Sequence, residues 1–231
     1  RTLIIPLIFE PALAITVGMA DTMMISSVGE AAVSGVSLVD MINMLMFNIM
    51  AALATGGAVV TSQYLGAKSR EDARKSASQL LYTVIFAGIL LGILVILIRK
   101  PMLRLFFGSI EADVMENALI YLTISALSFP FLSVYNACAA LFRSMGNSKV
   151  TLKVSILINL INVVGNAVCI FGLHMGAAGV AIPSLISRAA GSIILYFLLK
   201  NPRLDICFLK EPFHLDFGMV KKILYIGIPS G

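Results

Sequence analysis

The chain of 231 residues is 59% hydrophobic and 13% charged, with a mean hydropathy of +0.97. A soluble domain carries roughly a quarter charged residues, so this composition excludes one and identifies an all-α integral membrane protein. The net charge of +5 lies mostly in the loops between apolar runs and requires no nucleic-acid partner.

Six apolar runs follow one another, at about 2–28, 40–65, 77–98, 117–142, 151–173 and 177–199, with a seventh beginning near Ile223. Each is long enough to cross a hydrocarbon core of about 30 Å as a helix. They are too long for barrel strands and lack period-two alternation. The chain opens on Arg1 rather than Met and reaches Gly231 inside the seventh run. It therefore reads as a fragment of a longer protein.

The first run carries two carboxylates, Glu10 and Asp21. A charge in hydrocarbon costs several kcal/mol, so such groups face a bundle interior or a wet cavity. Eleven residues of helix set the pair about 16 Å apart along the axis on nearly one face. That arrangement points to the handling of cations or protons. Glu10 has two readings, a cavity charge that attracts cations or an ion pair with Arg188 of the sixth run. Pro11 follows it and removes a helical hydrogen bond.

The second run holds Asp40, Asn43 and Asn48. Asp40 reads as a cap at the helix N-terminus, where a carboxylate is favoured, and the two amides as polar groups of a substrate cavity. Gly88 and Gly92 in the third run have the spacing of close helix packing. The segment 99–116 reads as an amphipathic outer loop, with Leu103, Phe106 and Phe107 at the interface. In the fifth run Asn159, Asn162 and Asn166 share one helix face. Such a stripe either lines a wet cavity or bonds to a neighbouring helix. The methionines between Met19 and Met50 are core filler or an adaptable ligand surface.

Lys68, Arg70, Arg74, Lys75, Arg143, Lys149, Lys153, Lys200, Arg203, Lys210, Lys221 and Lys222 fall in alternate loops, against Arg99, Lys100 and Arg104 on the other side. The basic side is cytoplasmic by the positive-inside rule, which places the N-terminus inside a multi-pass inner (plasma) membrane protein. Segment 200–222 reads as a cytoplasmic linker, which divides the chain into a six-helix lobe at 1–199 and the start of a seventh helix at 223–231. A basic residue, a short apolar run and a proline recur at Arg1 to Pro6 and Lys222 to Pro229, as in transporters built from repeats. Cys138, Cys169 and Cys207 have no metal or disulfide spacing. No metal-ligand cluster, nucleophile with a base, or phosphate loop is evident. An enzyme and a cofactor are not expected.

Several segments resemble the N-terminal half of a multidrug and toxic compound extrusion (MATE) transporter. They are Pro6 and Asp21 followed by DTMMISSVGEAAVSGVSL, then GGAVVTSQYLGAKSREDAR, ALFRSMGNSKV, ILINLINVVGNAVCIFG and GAAGVAIPSLISR. The order and spacing of these segments carry the resemblance, since no single one is specific.

The resemblance implies one half of a pseudo-symmetric twelve-helix transporter whose second, C-terminal lobe is absent here. It implies export of lipophilic or cationic small molecules in exchange for H⁺ or Na⁺. It also implies a cation site at Asp21, Tyr121, Asn162, Asn166 and Ser184. An amide at Asn166 departs from the family's Asp and leaves the expected site one carboxylate. Glu10, Asn43, Asn48, Asn159 and Arg188 are the expected cavity residues. A lipid-linked oligosaccharide flippase of the same superfamily, or a passive channel, is the alternative. The flippase would need several basic residues in its cleft, and Arg188 alone lies deep in a run.

Overall fold

The computed structural model describes residues 4–208 and 215–227, with the side chains of residues 4–8, 10, 11 and 14 outside the described set. Among the described residues seven α-helices follow in order: α1 (Ile4–Ser26), α2 (Glu30–Gly66), α3 (Arg70–Phe107), α4 (Ala112–Ser144), α5 (Ser148–Ala167), α6 (Ala178–Leu198) and α7 (Phe217–Gly227). A π-helical turn, Val168–Gly172, extends α5. There is no strand among the described residues.

Five of these helices are long and apolar enough to cross a membrane, and the described side chains of α1 add a shorter apolar stretch, Ile15–Ser26. Large apolar side chains such as Phe86, Leu97, Leu105 and Phe197 point outward. A protein solvated by lipid leaves such a surface, whereas a soluble monomer keeps exposed apolar patches small.

The helices outrun the apolar runs. α2 has 37 residues and α3 has 38, about 55 Å at 1.5 Å per residue, against a core of about 30 Å. Hydropathy marks only the stretch suited to hydrocarbon, so the polar helix ends escape it. Two expectations are corrected on this ground. The outer loop shrinks to 108–111, because Arg99, Lys100 and Arg104 lie inside α3 and Leu103 is fully buried. Asp40 is no cap, because α2 begins ten residues earlier, after Gly29.

α4 is central and packs against α2, α3 and α6. Gly88 and Gly92 set its approach to α3. A Cβ on Gly88 would stand 2.6 Å from Ser133 Oγ and 2.8 Å from Pro130 Cα, and one on Gly92 2.8 Å from the Ala126 carbonyl. The contact is fixed further by Ser133 Oγ donating to the Val84 carbonyl at 2.9 Å. Without side chains at these two positions the backbones meet closely enough for dispersion to act.

Among the described residues two apolar clusters form the core. One surrounds Leu80, Leu141, Leu195, Ile206 and Ile223, and the other Ile25, Val39, Leu122, Phe129 and Ile170.

The segment after α6 folds back onto the bundle. Ile206, Cys207 and Phe208 are buried, and the Phe208 ring stacks on Tyr196 at 5.5 Å. Arg74 donates to the carbonyls of Leu204 and Asp205, and Arg70 pairs with Asp205 at 2.8 Å. α7 starts at Phe217, six residues before the position read from sequence, and packs along α2.

Candidate functional site

The polar residues of five helices converge on one cavity of about 400 Å³. α1 contributes Val17, Gly18, Asp21 and Thr22, which helical spacing places on one face. α5 contributes Ser155, Asn159 and Asn162, and α6 contributes Ser184, Ser187 and Arg188. α2 and α4 supply Asp40, Phe47, Tyr121 and Tyr135.

A chain of hydrogen bonds joins three of these helices. The Asn166 amide donates to Asp21 Oδ1 at 2.5 Å and to Asn162 Oδ1 at 3.3 Å. Asn162 in turn donates to Ser184 Oγ at 2.8 Å, which donates to the Val180 carbonyl. Both donors of the Asn166 side chain are thus used, while its buried Oδ1 has no hydrogen-bond partner. A buried acceptor left unpaired costs about 1–3 kcal/mol. An amide oxygen in this state can accept a hydrogen bond from an acid or coordinate a cation. The π-helical turn starts two residues later, and such turns recur at functional sites.

Tyr121 shares the cavity with Asp21. Its hydroxyl donates to Asp40 Oδ1 at 3.0 Å. Asp40 is the residue that sequence reasoning missed. With it the described lining of the cavity includes two carboxylates, although position 166 is an amide. The signal was available in the run of Asp40, Asn43 and Phe47 at helical spacing, once α2 is known to start at Glu30.

The remaining expected cavity residues divide. Asn159 lines the cavity and bonds Ser155 Oγ at 3.4 Å. Arg188 lines it too, donating to Ser128 Oγ at 2.6 Å with its guanidinium 4.5 Å from the Phe47 ring centroid. Asn43 is buried between α2 and α4, where it donates to Ser125 Oγ at 3.2 Å and does not line the cavity. Asn48 is exposed on α2 away from it, because one step of 100° past Phe47 turns it to another face. Glu10 and Pro11 carry side chains outside the described residues. Met19, Met23, Met41 and Met44 are exposed rather than core filler, while Met50 is buried.

The MatE family model matches residues 6–168. The chain is 32% identical over 231 residues to the uncharacterized transporter YisQ of Bacillus subtilis, covering 97% of this chain and 50% of that protein. It is 27% identical to the probable multidrug resistance protein NorM of Thermotoga maritima, covering 99% of this chain and 49% of that one.

Among solved structures, a MOP superfamily transporter from Pyrococcus furiosus superposes with a TM-score of 0.91 at 21% identity, over 99% of this chain and 50% of that one. The inward-facing conformation of a multidrug resistance MATE family transporter superposes with a TM-score of 0.85 at 21% identity, over 93% and 48%. These likenesses establish the fold. The chain spans about half the length of the relatives it matches.

Proposed function

The chain belongs to the MatE family, and from this we propose that it forms one six-helix lobe of a secondary active exporter of small lipophilic or cationic compounds, driven by inward H⁺ or Na⁺. The observation that carries the reading is the bonded row Asp21, Asn166, Asn162 and Ser184, with the unpaired Asn166 Oδ1 inside it. It is a set of oxygens around one carboxylate, next to a cavity of substrate size. Pockets for small ligands commonly measure about 300–1,000 Å³. Asp40, held by Tyr121, adds a second acidic group to the cavity.

The coupling follows from this chemistry. A proton or Na⁺ on Asp21 changes the charge that the cavity presents to a cationic substrate. Ion and substrate then compete, and the one that binds better in each conformation draws the protein towards it. Only differential affinity for the two states moves the equilibrium. Resemblance to structures called outward-facing and inward-facing supports such an alternation here. A second lobe covers the open side of the cavity, the segment between α6 and α7 links the two on the cytoplasmic side, and the whole lies in the inner membrane with its N-terminus inside. Lipid surrounds the exposed apolar belt. The flippase reading is not favoured, since among the described residues Arg188 is the only basic one lining the cavity.

The test is export by the whole protein in proteoliposomes, with pH and Na⁺ gradients imposed separately, for the unmodified protein and for Asp21→Asn. Export driven by one gradient and lost in Asp21→Asn is expected. Undiminished, gradient-dependent export by the variant removes Asp21 from the mechanism.

A further inference from the structure

The C-terminal end of α3 breaks the charge asymmetry of the chain. Arg99, Lys100 and Arg104 follow its apolar run, on the side of the bundle that is otherwise poor in cations. Arg99 is accounted for by its bond to Thr123 Oγ1 of α4. Lys100 and Arg104 are exposed and stand one turn apart on one face. Neither joins an ion pair within 4 Å among the described residues, where Arg70–Asp205 and Lys75–Glu71 are the pairs formed. Both line an open cavity of about 780 Å³ between α3 and α4, and Glu116 of α4 faces it too. Towards the bilayer centre the cleft continues past Arg99 and Glu116 along an apolar wall that includes Ile120 and Ile124.

On the other flank of α3 the surface changes character. Pro101 and Leu105 stand one step of about 100° from Lys100 and Arg104. They line a groove of about 610 Å³ against Met41 and Leu45 of α2, with almost wholly apolar walls. A basic stripe and an apolar stripe thus run side by side on one helix end. The level in the membrane suits a lipid headgroup. The apolar run ends near residue 98, so Lys100 and Arg104 lie about 3 and 9 Å beyond it along the axis. The headgroup layer on each side of a bilayer is about 5–7 Å thick.

Charge decides which headgroup fits. Glu111, Asp113 and Glu116 balance Arg99, Lys100 and Arg104 here, so this end of the bundle offers no net attraction to an anionic lipid. Two cations beside one carboxylate match a phosphodiester next to an ammonium. An ammonium that keeps its N–H donors also forms a charge-assisted hydrogen bond to the carboxylate, which a trimethylated one does not.

We propose that this end of α3 binds one phospholipid with a phosphoethanolamine headgroup. The phosphate rests between Lys100 and Arg104, and the ammonium rests on Glu116. The acyl chains straddle α3, one along Leu105 in the groove against α2 and one along Ile120 and Ile124. The site faces lipid and does not depend on the exporter reading.

Native mass spectrometry of the whole protein in detergent, titrated with dioleoyl phospholipids, measures the affinity for the first lipid bound. Three lipids share their chains and carry phosphoethanolamine, phosphocholine or phosphoglycerol. An exposed ion pair changes affinity by up to about fivefold, so the phosphoethanolamine lipid should bind about three- to fivefold more tightly than the other two. Glu116→Gln should bring it to the phosphocholine level. Lys100→Gln with Arg104→Gln should weaken all three lipids, and Leu105→Gln should weaken all three while keeping their order. Lys149→Gln with Lys153→Gln removes two exposed cations at the start of α5 and should change none. The replaced side chains are exposed, and equal Tm values for the variants check that the fold is kept.

Four results overturn the proposal. They are a phosphocholine or phosphoglycerol lipid that binds the unmodified protein as tightly, a preference that survives Glu116→Gln, a loss in Lys100→Gln with Arg104→Gln no larger than in the α5 pair, and no lipid bound above the detergent background.

Discussion

At the scale of single residues, the cavity is organised by amides that position carboxylates. Asn166 spends both of its donors on Asp21 and Asn162, so replacing it tests what the unpaired oxygen is for. Asn166→Asp adds a carboxylate against Asp21 and should make the response to Na⁺ larger than that of the unmodified protein. Thermal unfolding of the whole protein in detergent, with and without Na⁺, reads this as a Na⁺-dependent rise in Tm, because a ligand that binds only the folded state stabilises it. An unchanged Na⁺ response would mean that this oxygen cluster does not hold the ion.

Tyr121→Phe removes the bond to Asp40 while keeping the ring. Asp40 is open to the cavity, so the cost in stability should be only about 0.5–1.5 kcal/mol. Competition between Na⁺ or H⁺ and a cationic substrate should shift, since the Asp40 carboxylate is no longer held in place. Equal competition curves for variant and unmodified protein would confine Tyr121 to packing.

At the scale of helices, two glycines hold the α3–α4 contact close. Gly88→Leu would place a branched side chain where even a methyl meets Pro130 and Ser133. Overpacking of this kind costs about 1–3 kcal/mol, and more where backbone must move. A control is Gly66→Ala at the end of α2, where nothing stands within 4 Å of an added Cβ. Thermal unfolding should show a large drop for the first and almost none for the second; equal effects would contradict the close approach of α3 to α4. The close approach was legible in the sequence as a pair of glycines four apart. The partner helix was not, because nothing local says which backbone fills the groove. The helix ends were also illegible to hydropathy. Arg99 shows why: it lies inside α3 and donates to Thr123 of α4 at 2.6 Å, a tertiary bond that makes a charged residue part of a helix rather than of a loop.

At the scale of the whole molecule, orientation is open to direct measurement. In a background with Cys138, Cys169 and Cys207 replaced by serine, Ala67→Cys and Ser109→Cys each place a single exposed thiol between helices, at opposite ends of α3. A membrane-impermeant maleimide should label Ser109→Cys in intact cells and Ala67→Cys only after permeabilisation. The reverse pattern would overturn the positive-inside assignment. Composition and the succession of apolar runs were enough, without tertiary structure, to establish an all-helical membrane protein, because hydrocarbon admits few alternatives for an unpaired backbone. The carboxylate in the first helix and the asparagine stripe of the fifth were equally visible, since a polar group at such a position is costly and conspicuous. Only the tertiary structure decided which of these groups share a cavity. It joined Asp21 to Asn166 across 145 residues of chain. It turned Asp40 from a supposed cap into a cavity carboxylate, and it set Arg188 against Phe47. Those relations depend on how helices rotate and slide against one another, which is fixed by packing between distant segments and not by any local pattern.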